Sequence, residues 1–133
     1  MASRPTYHRW RRGWQAWFDV RGRRVGAWAF ALNRLTALGL VLYLAIHLWV
    51  LRLLAQGEAR WNEFIALAKT PFFLFLDVIL FFGIIYHGLN GLRVTLVGLG
   101  IGVDAHRRLF WGLMAVGLVL FGLSVWGIWT LTG

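Results

Sequence analysis

Three long apolar stretches leave this chain almost no choice of fold. They run over about residues 28–54, 72–97 and 109–131. Each exceeds the roughly 20 residues needed to cross a ~30 Å hydrocarbon core. Backbone N–H and C=O groups in lipid have to be satisfied within the segment, so all three are expected to be helices. The expectation is an all-α membrane protein with three transmembrane helices over residues 25–133. A basic, aromatic segment at residues 1–24 precedes them, cytoplasmic or interfacial. With 133 residues in all, little chain remains for a soluble catalytic domain.

The formal charge of +9 is a topology signal rather than a nucleic-acid one. Arg4, Arg9, Arg11, Arg12, Arg21, Arg23 and Arg24 precede the first apolar stretch, and Arg93, Arg107 and Arg108 flank the second loop. The first loop balances Arg52, Arg60 and Lys69 against Glu58 and Glu63. The positive-inside rule then puts the N-terminus and the second loop in the cytoplasm, and the first loop and C-terminus outside. No apolar run begins before about residue 25, which argues against a cleaved signal peptide and for a retained first helix. Trp10, Trp14, Trp17 and Phe18 fall at helical spacing among the arginines. An interfacial helix on anionic lipid accounts for that pattern, and so does a docking surface for a cytoplasmic partner.

Local signals punctuate the spans. The first loop, with Trp61, Asn62, Glu63 and Phe64, suits a short surface helix. Thr70-Pro71 predicts an N-cap and a first-turn proline for the second span. Gly98, Gly100 and Gly102 predict its end, and Asp104 an N-cap for the third. Gly112, Gly117, Gly122 and Gly127 in the third span suit close helix packing.

Chemistry enters with the histidines. His8 and His106 lie in basic, aqueous segments, whereas His47 and His87 lie within the spans. An ionisable residue at membrane depth is costly and is a functional candidate by default. His87 stands in Tyr86-His87-Gly88-Leu89-Asn90-Gly91-Leu92-Arg93, and Gly83, His87 and Gly91 are four residues apart, on one helix face. A flat macrocycle such as haem can approach a glycine-flanked imidazole closely. The bland reading of either histidine is a hydrogen bond to a neighbouring helix. For His47 that reading has a ready partner in Tyr43, one turn away. Counted along antiparallel helices at ~1.5 Å per residue, His87 lies roughly 15 Å and His47 roughly 25 Å from the cytoplasmic side, so they are not expected to share one iron. Arg34 and Arg93 lie near the cytoplasmic helix ends, where snorkelling to the headgroups is the simple account. Arg34 sits slightly deeper and is a candidate for a haem propionate or a quinone carbonyl. Asp77 is a lone acid towards the outer end of the second span. With no cysteine, the chain cannot supply thiolates to an iron–sulfur cluster.

At these residues the chain resembles the cytochrome b membrane-anchor subunits of succinate dehydrogenase (succinate:quinone oxidoreductase, complex II). The resemblance runs from about residue 21 to 110. Trp28-Ala29-Phe30-Ala31-Leu32-Asn33-Arg34-Leu35-Thr36 is similar to the start of the family's first helix, Tyr43-Leu44-Ala45-Ile46-His47-Leu48 to its histidine segment, and Trp61-Asn62-Glu63 with Lys69-Thr70-Pro71 to the loop that follows. Tyr86-His87 through Asn90-Gly91-Leu92-Arg93 is the most specific match. Asn33 stands where the family often has His, Ala37 where Gly is usual, and Phe30 where some members carry Ser.

The resemblance implies an assembly with a flavoprotein subunit, an iron–sulfur subunit and a second three-helix anchor subunit, in the cytoplasmic membrane of a prokaryote. It implies one or two haem b groups shared with the sister subunit, and a quinone, menaquinone or ubiquinone, as substrate. By position, His87 would be an axial ligand of the haem nearer the cytoplasm, with Gly83 and Gly91 packing on it, and His47 a ligand of a second, outer haem. Arg34, with Asn33, Trp28 and Arg93, would serve the haem propionates and the quinone. Two other readings stand beside this one: a haem-free structural anchor of a quinone-linked complex, and an unrelated three-helix membrane protein such as a transporter component. The latter would predict broken helices or paired intramembrane charges, and the sequence shows neither clearly.

Overall fold

The computed structural model describes residues 25–132. Four helices follow in order: α1 (Val25–Leu51), α2 (Glu58–Ala68), α3 (Pro71–Gly98) and α4 (His106–Thr132), with a 3-10 turn at Leu54–Gln56. No strand occurs among the described residues. Three of the helices are long and apolar enough to cross a membrane, over Gly26–Gln56, Pro71–Gly98 and His106–Thr130. These spans agree with the three apolar stretches. The basic segment at residues 1–24 and its expected interfacial helix lie outside the described residues.

The connections follow local chemistry. Gly57 separates the 3-10 turn from α2 at φ 102°, a conformation that favours glycine. In α2, Trp61, Phe64, Ile65 and Ala68 form a half-buried stripe at helical spacing, with Trp61 and Phe64 in ring contact at 5.8 Å. Arg60 and Glu63 pair at 3.1 Å on the exposed side, worth only about 0.2–0.5 kcal/mol for such a pair. Thr70 takes the extended conformation (φ −71°, ψ 150°) that a residue before proline prefers, and Pro71 opens α3. Thr70 holds the N-cap position as expected, but its hydroxyl turns back and donates to the Leu67 carbonyl at 2.7 Å. It therefore closes α2 instead of capping α3.

The end of α3 is a Schellman motif. Ile101 N–H bonds to Leu96 O at 2.9 Å and Gly100 N–H to Val97 O at 3.0 Å, with Gly100 at φ 81°. The expected Asp104 cap of α4 gives way to a neighbour. Leu109 N–H bonds to Ala105 O at 2.9 Å, which makes Ala105 the residue that accepts the first helical bond.

Packing is most extensive between α3 and α4, in a constant antiparallel register. Phe82 meets Phe121 edge-on at 6.0 Å, and the Arg93 guanidinium lies over the Phe110 ring at 5.3 Å. Between them, Gly117 is buried against Ile85 and Leu89. A Cβ at Gly117 would stand 2.9 Å from Leu89 Cδ1, so any larger residue there would have to displace the Leu89 side chain. Many large apolar side chains face outward, while among the described residues the one fully buried side chain is polar: Asn90, 1% exposed. Such an inverted distribution suits lipid, where apolar surface needs no burial and polar groups must be covered.

Candidate functional site

His87 lies inside α3 on the side that faces α1. Its Nδ1 donates to the backbone carbonyl of Asn33 at 3.2 Å. The Thr36 hydroxyl donates to the same carbonyl at 3.0 Å, and its oxygen is 3.4 Å from His87 Nδ1. A carbonyl oxygen only accepts, so the ring proton belongs on Nδ1 and Nε2 keeps its lone pair. The bond that the bland reading required is therefore present, and it frees the nitrogen that a metal would use. A backbone carbonyl on the far ring nitrogen is the usual setting of a ligating histidine.

The glycines beside His87 do different things. Gly83 is buried, and Leu40 Cδ2 of α1 lies 3.9 Å from the place of a Cβ. Gly83 thus serves the α1–α3 approach. Gly88 and Gly91 face open space, with nothing within 4 Å of where a Cβ would stand. Space for a flat ligand beside the imidazole accordingly lies on the Gly88 and Gly91 side.

Asn33 contributes more than its carbonyl. Its side-chain Oδ1 is buried and lacks a hydrogen-bond partner. An acceptor left in that condition costs about 1–3 kcal/mol, so a donor from a ligand or a neighbouring subunit would be favoured there. Arg34, the next residue, is half-buried and turned about 100° around the helix from Asn33. Trp28, six residues before Arg34 on α1, is exposed.

Arg93 is held, not snorkelling freely. Its Nε donates to Asn90 Oδ1 at 3.1 Å and its guanidinium covers Phe110 of α4. Sequence reasoning placed Arg93 near the membrane surface but missed Phe110 and the part played by Thr36. The i, i+3 spacing of Asn33 and Thr36 was the available signal for the latter.

His47 belongs to a separate place. Every residue from 41 to 49 on α1 is exposed, His47 included. Tyr43 stacks on its ring at 5.3 Å and 21°, with the phenol oxygen 3.3 Å from Nδ1. His87 pairs at the level of Thr36, and His47 lies a further eleven residues along α1, about 16 Å at 1.5 Å per residue. The pairing widens the expected ~10 Å separation and rules out a shared iron. Among the described residues no three His, Cys, Asp or Glu side chains come together as a metal cage.

Three membrane-crossing helices, with an intramembrane histidine whose proton is pinned by a neighbouring helix, define a polytopic membrane subunit built around a buried polar seam. The sequence pattern of the succinate dehydrogenase/fumarate reductase transmembrane subunits matches residues 11–128. The chain is 34% identical over 101 residues to the succinate dehydrogenase hydrophobic membrane anchor subunit of Halobacterium salinarum, across 75% of each chain. It is 25% identical over 109 residues to the succinate dehydrogenase 2 membrane subunit SdhC of Mycobacterium tuberculosis, across 76% of this chain and 80% of that one. The chain belongs to the succinate dehydrogenase/fumarate reductase transmembrane subunit family. It is thus a membrane subunit of an oxidoreductase complex, as the sequence resemblance implied.

Proposed function

We propose that this subunit binds haem b through His87 and helps form the quinone site that receives electrons from an iron–sulfur partner. The observation that carries the reading is the His87 Nδ1 bond to the Asn33 carbonyl, which leaves Nε2 as an oriented, unprotonated ligand. The residues fit the group. The open side at Gly88 and Gly91 gives a flat macrocycle access, and the orphaned Asn33 Oδ1 offers an acceptor at the same seam. Bound haem b would supply a one-electron redox centre, tuned by its axial ligands and burial.

The chain's own residues position and screen. The α1 carbonyl orients the His87 ring, and the long apolar flanks exclude water. Arg34 offers a guanidinium to a propionate or a quinone carbonyl. Asn90 and Phe110 hold Arg93 near the cytoplasmic end of α3. A further ligand to that haem would have to come from a sister three-helix subunit, because His47 is too far along α1 to supply it. His47, facing outward with its Nδ1 engaged by Tyr43, would be the residue to hold a second haem towards the outer side. A flavoprotein and an iron–sulfur protein dock on the cytoplasmic side, marked by Arg107, Arg108 and the basic N-terminal segment. The cysteine-free chain leaves iron–sulfur chemistry to that partner.

The test is a pyridine haemochrome assay on the intact purified complex, with haem b counted per flavin. Two haems per flavin support both histidines as ligands. One keeps His87 and returns His47 to its bond with Tyr43. None overturns the reading and leaves the haem-free anchor.

A further inference from the structure

Two side chains converge on one carbonyl oxygen at the α1–α3 seam, His87 from α3 and Thr36 from α1 itself. The Asn33 carbonyl accepts from His87 Nδ1 at 3.2 Å and from the Thr36 hydroxyl at 3.0 Å, while the hydroxyl oxygen itself stands 3.4 Å from Nδ1. A threonine hydroxyl bonded back to its i−3 carbonyl is common in helices and by itself means little. Here the carbonyl so engaged is also the one that faces an intramembrane histidine across the seam. The hydroxyl and the imidazole N–H therefore compete for the same acceptor.

We propose that Thr36 is a positioning residue for His87, whose hydroxyl shares the Asn33 carbonyl with the imidazole N–H and so limits how strongly that carbonyl draws on the ring proton. The proposal rests on His87 being a haem ligand. The physics is that of an outer-shell partner: the stronger the hydrogen bond from Nδ1, the more electron-rich Nε2 becomes and the better it supports the oxidised iron. With Thr36 in place the carbonyl is shared, and the imidazole bond, at 3.2 Å, is at the upper end of the ordinary N–H···O range of about 2.7–3.2 Å. Without the hydroxyl, that side-chain competitor for the carbonyl is gone.

Thr36→Val removes the hydroxyl while keeping the β-branched shape, and Thr36→Ser keeps the hydroxyl and drops a methyl. Both are made in the full complex. The measurements are haem content, the midpoint potential from a redox titration of the b-type absorption, and the low-spin ferric electron paramagnetic resonance spectrum. The expected result is a lower midpoint and shifted g-values in Thr36→Val at unchanged haem content, with Thr36→Ser close to the unsubstituted complex. Equal midpoints and spectra in Thr36→Val and the unsubstituted complex would overturn the proposal, and so would the same shift in both variants. His87→Ala separates this from failure of the underlying reading. If the full haem signal survives that substitution, His87 is not the ligand, whatever Thr36 does. If haem is lost there and the Thr36→Val spectrum is unmoved, only the role of Thr36 falls.

Discussion

The imidazole N–H of His87 and the backbone carbonyl of Asn33 stand 3.2 Å apart, across 54 positions of sequence. This bond ties α3 to α1 at the polar seam between them. It also decides which ring nitrogen can bind a ligand. A neutral histidine has one donor and one acceptor nitrogen, and a carbonyl claims the donor. Asn33 is thus important through an atom that its side chain does not determine.

His87→Ala removes Nε2 from the seam and should lower the haem b content of the purified complex by one per flavin. His47→Ala should remove the second haem, if two are counted, and leave the first in place, since about 16 Å of helix rise separates their levels. Difference spectra of dithionite-reduced against oxidised complex check both.

Arg34→Ala should impair electron delivery to quinone more than succinate oxidation assayed with an artificial dye. The reason is that Arg34 is half-buried on a membrane helix, where its guanidinium serves the proposed quinone and propionates rather than a soluble active site. Loss of both activities in equal measure would count against that role.

Gly117→Ala tests the α3–α4 seam. The added Cβ would meet Leu89 Cδ1 at 2.9 Å and Ile85 Cγ2 at 3.4 Å. Overpacking of this kind costs about 1–3 kcal/mol, so the thermal midpoint of the complex in detergent should fall. Gly122→Ala, with nothing within 4 Å of the new methyl, is the matched control: it brings the same gain in helix propensity, about 1 kcal/mol, without a clash, so its midpoint should lie above that of Gly117→Ala.

Asn90→Leu fills similar space but strips the acceptor from Arg93 Nε at a fully buried side chain. An unpaired, half-buried donor costs about 1–3 kcal/mol. The variant should be less heat-stable than the unsubstituted complex. Combining it with Arg93→Leu should recover part of the loss, because removing both partners removes the unmet donor. A double substitution no more stable than Asn90→Leu alone would contradict this account.

The sequence by itself determined the three spans, the short α2 between the first two, the proline start and glycine end of α3, and that His47 and His87 lie within the spans at different levels. All are local consequences of apolar length, turn chemistry and the need to satisfy backbone groups within each helix. The tertiary structure alone decided how the helices meet. It turned Gly83 into a contact with Leu40 and left Gly88 and Gly91 open. It gave Arg93 to Asn90 and Phe110, moved the α4 cap from Asp104 to Ala105, and set Thr36 and His87 on one carbonyl. Helices that are apolar on every side carry little periodicity to say which face turns inward, because lipid and protein neighbours are nearly equivalent to them. The meeting of α1 and α3 rests on the Gly83–Leu40 contact and on polar partners far apart in sequence, and such pairings exist only once the chain has folded.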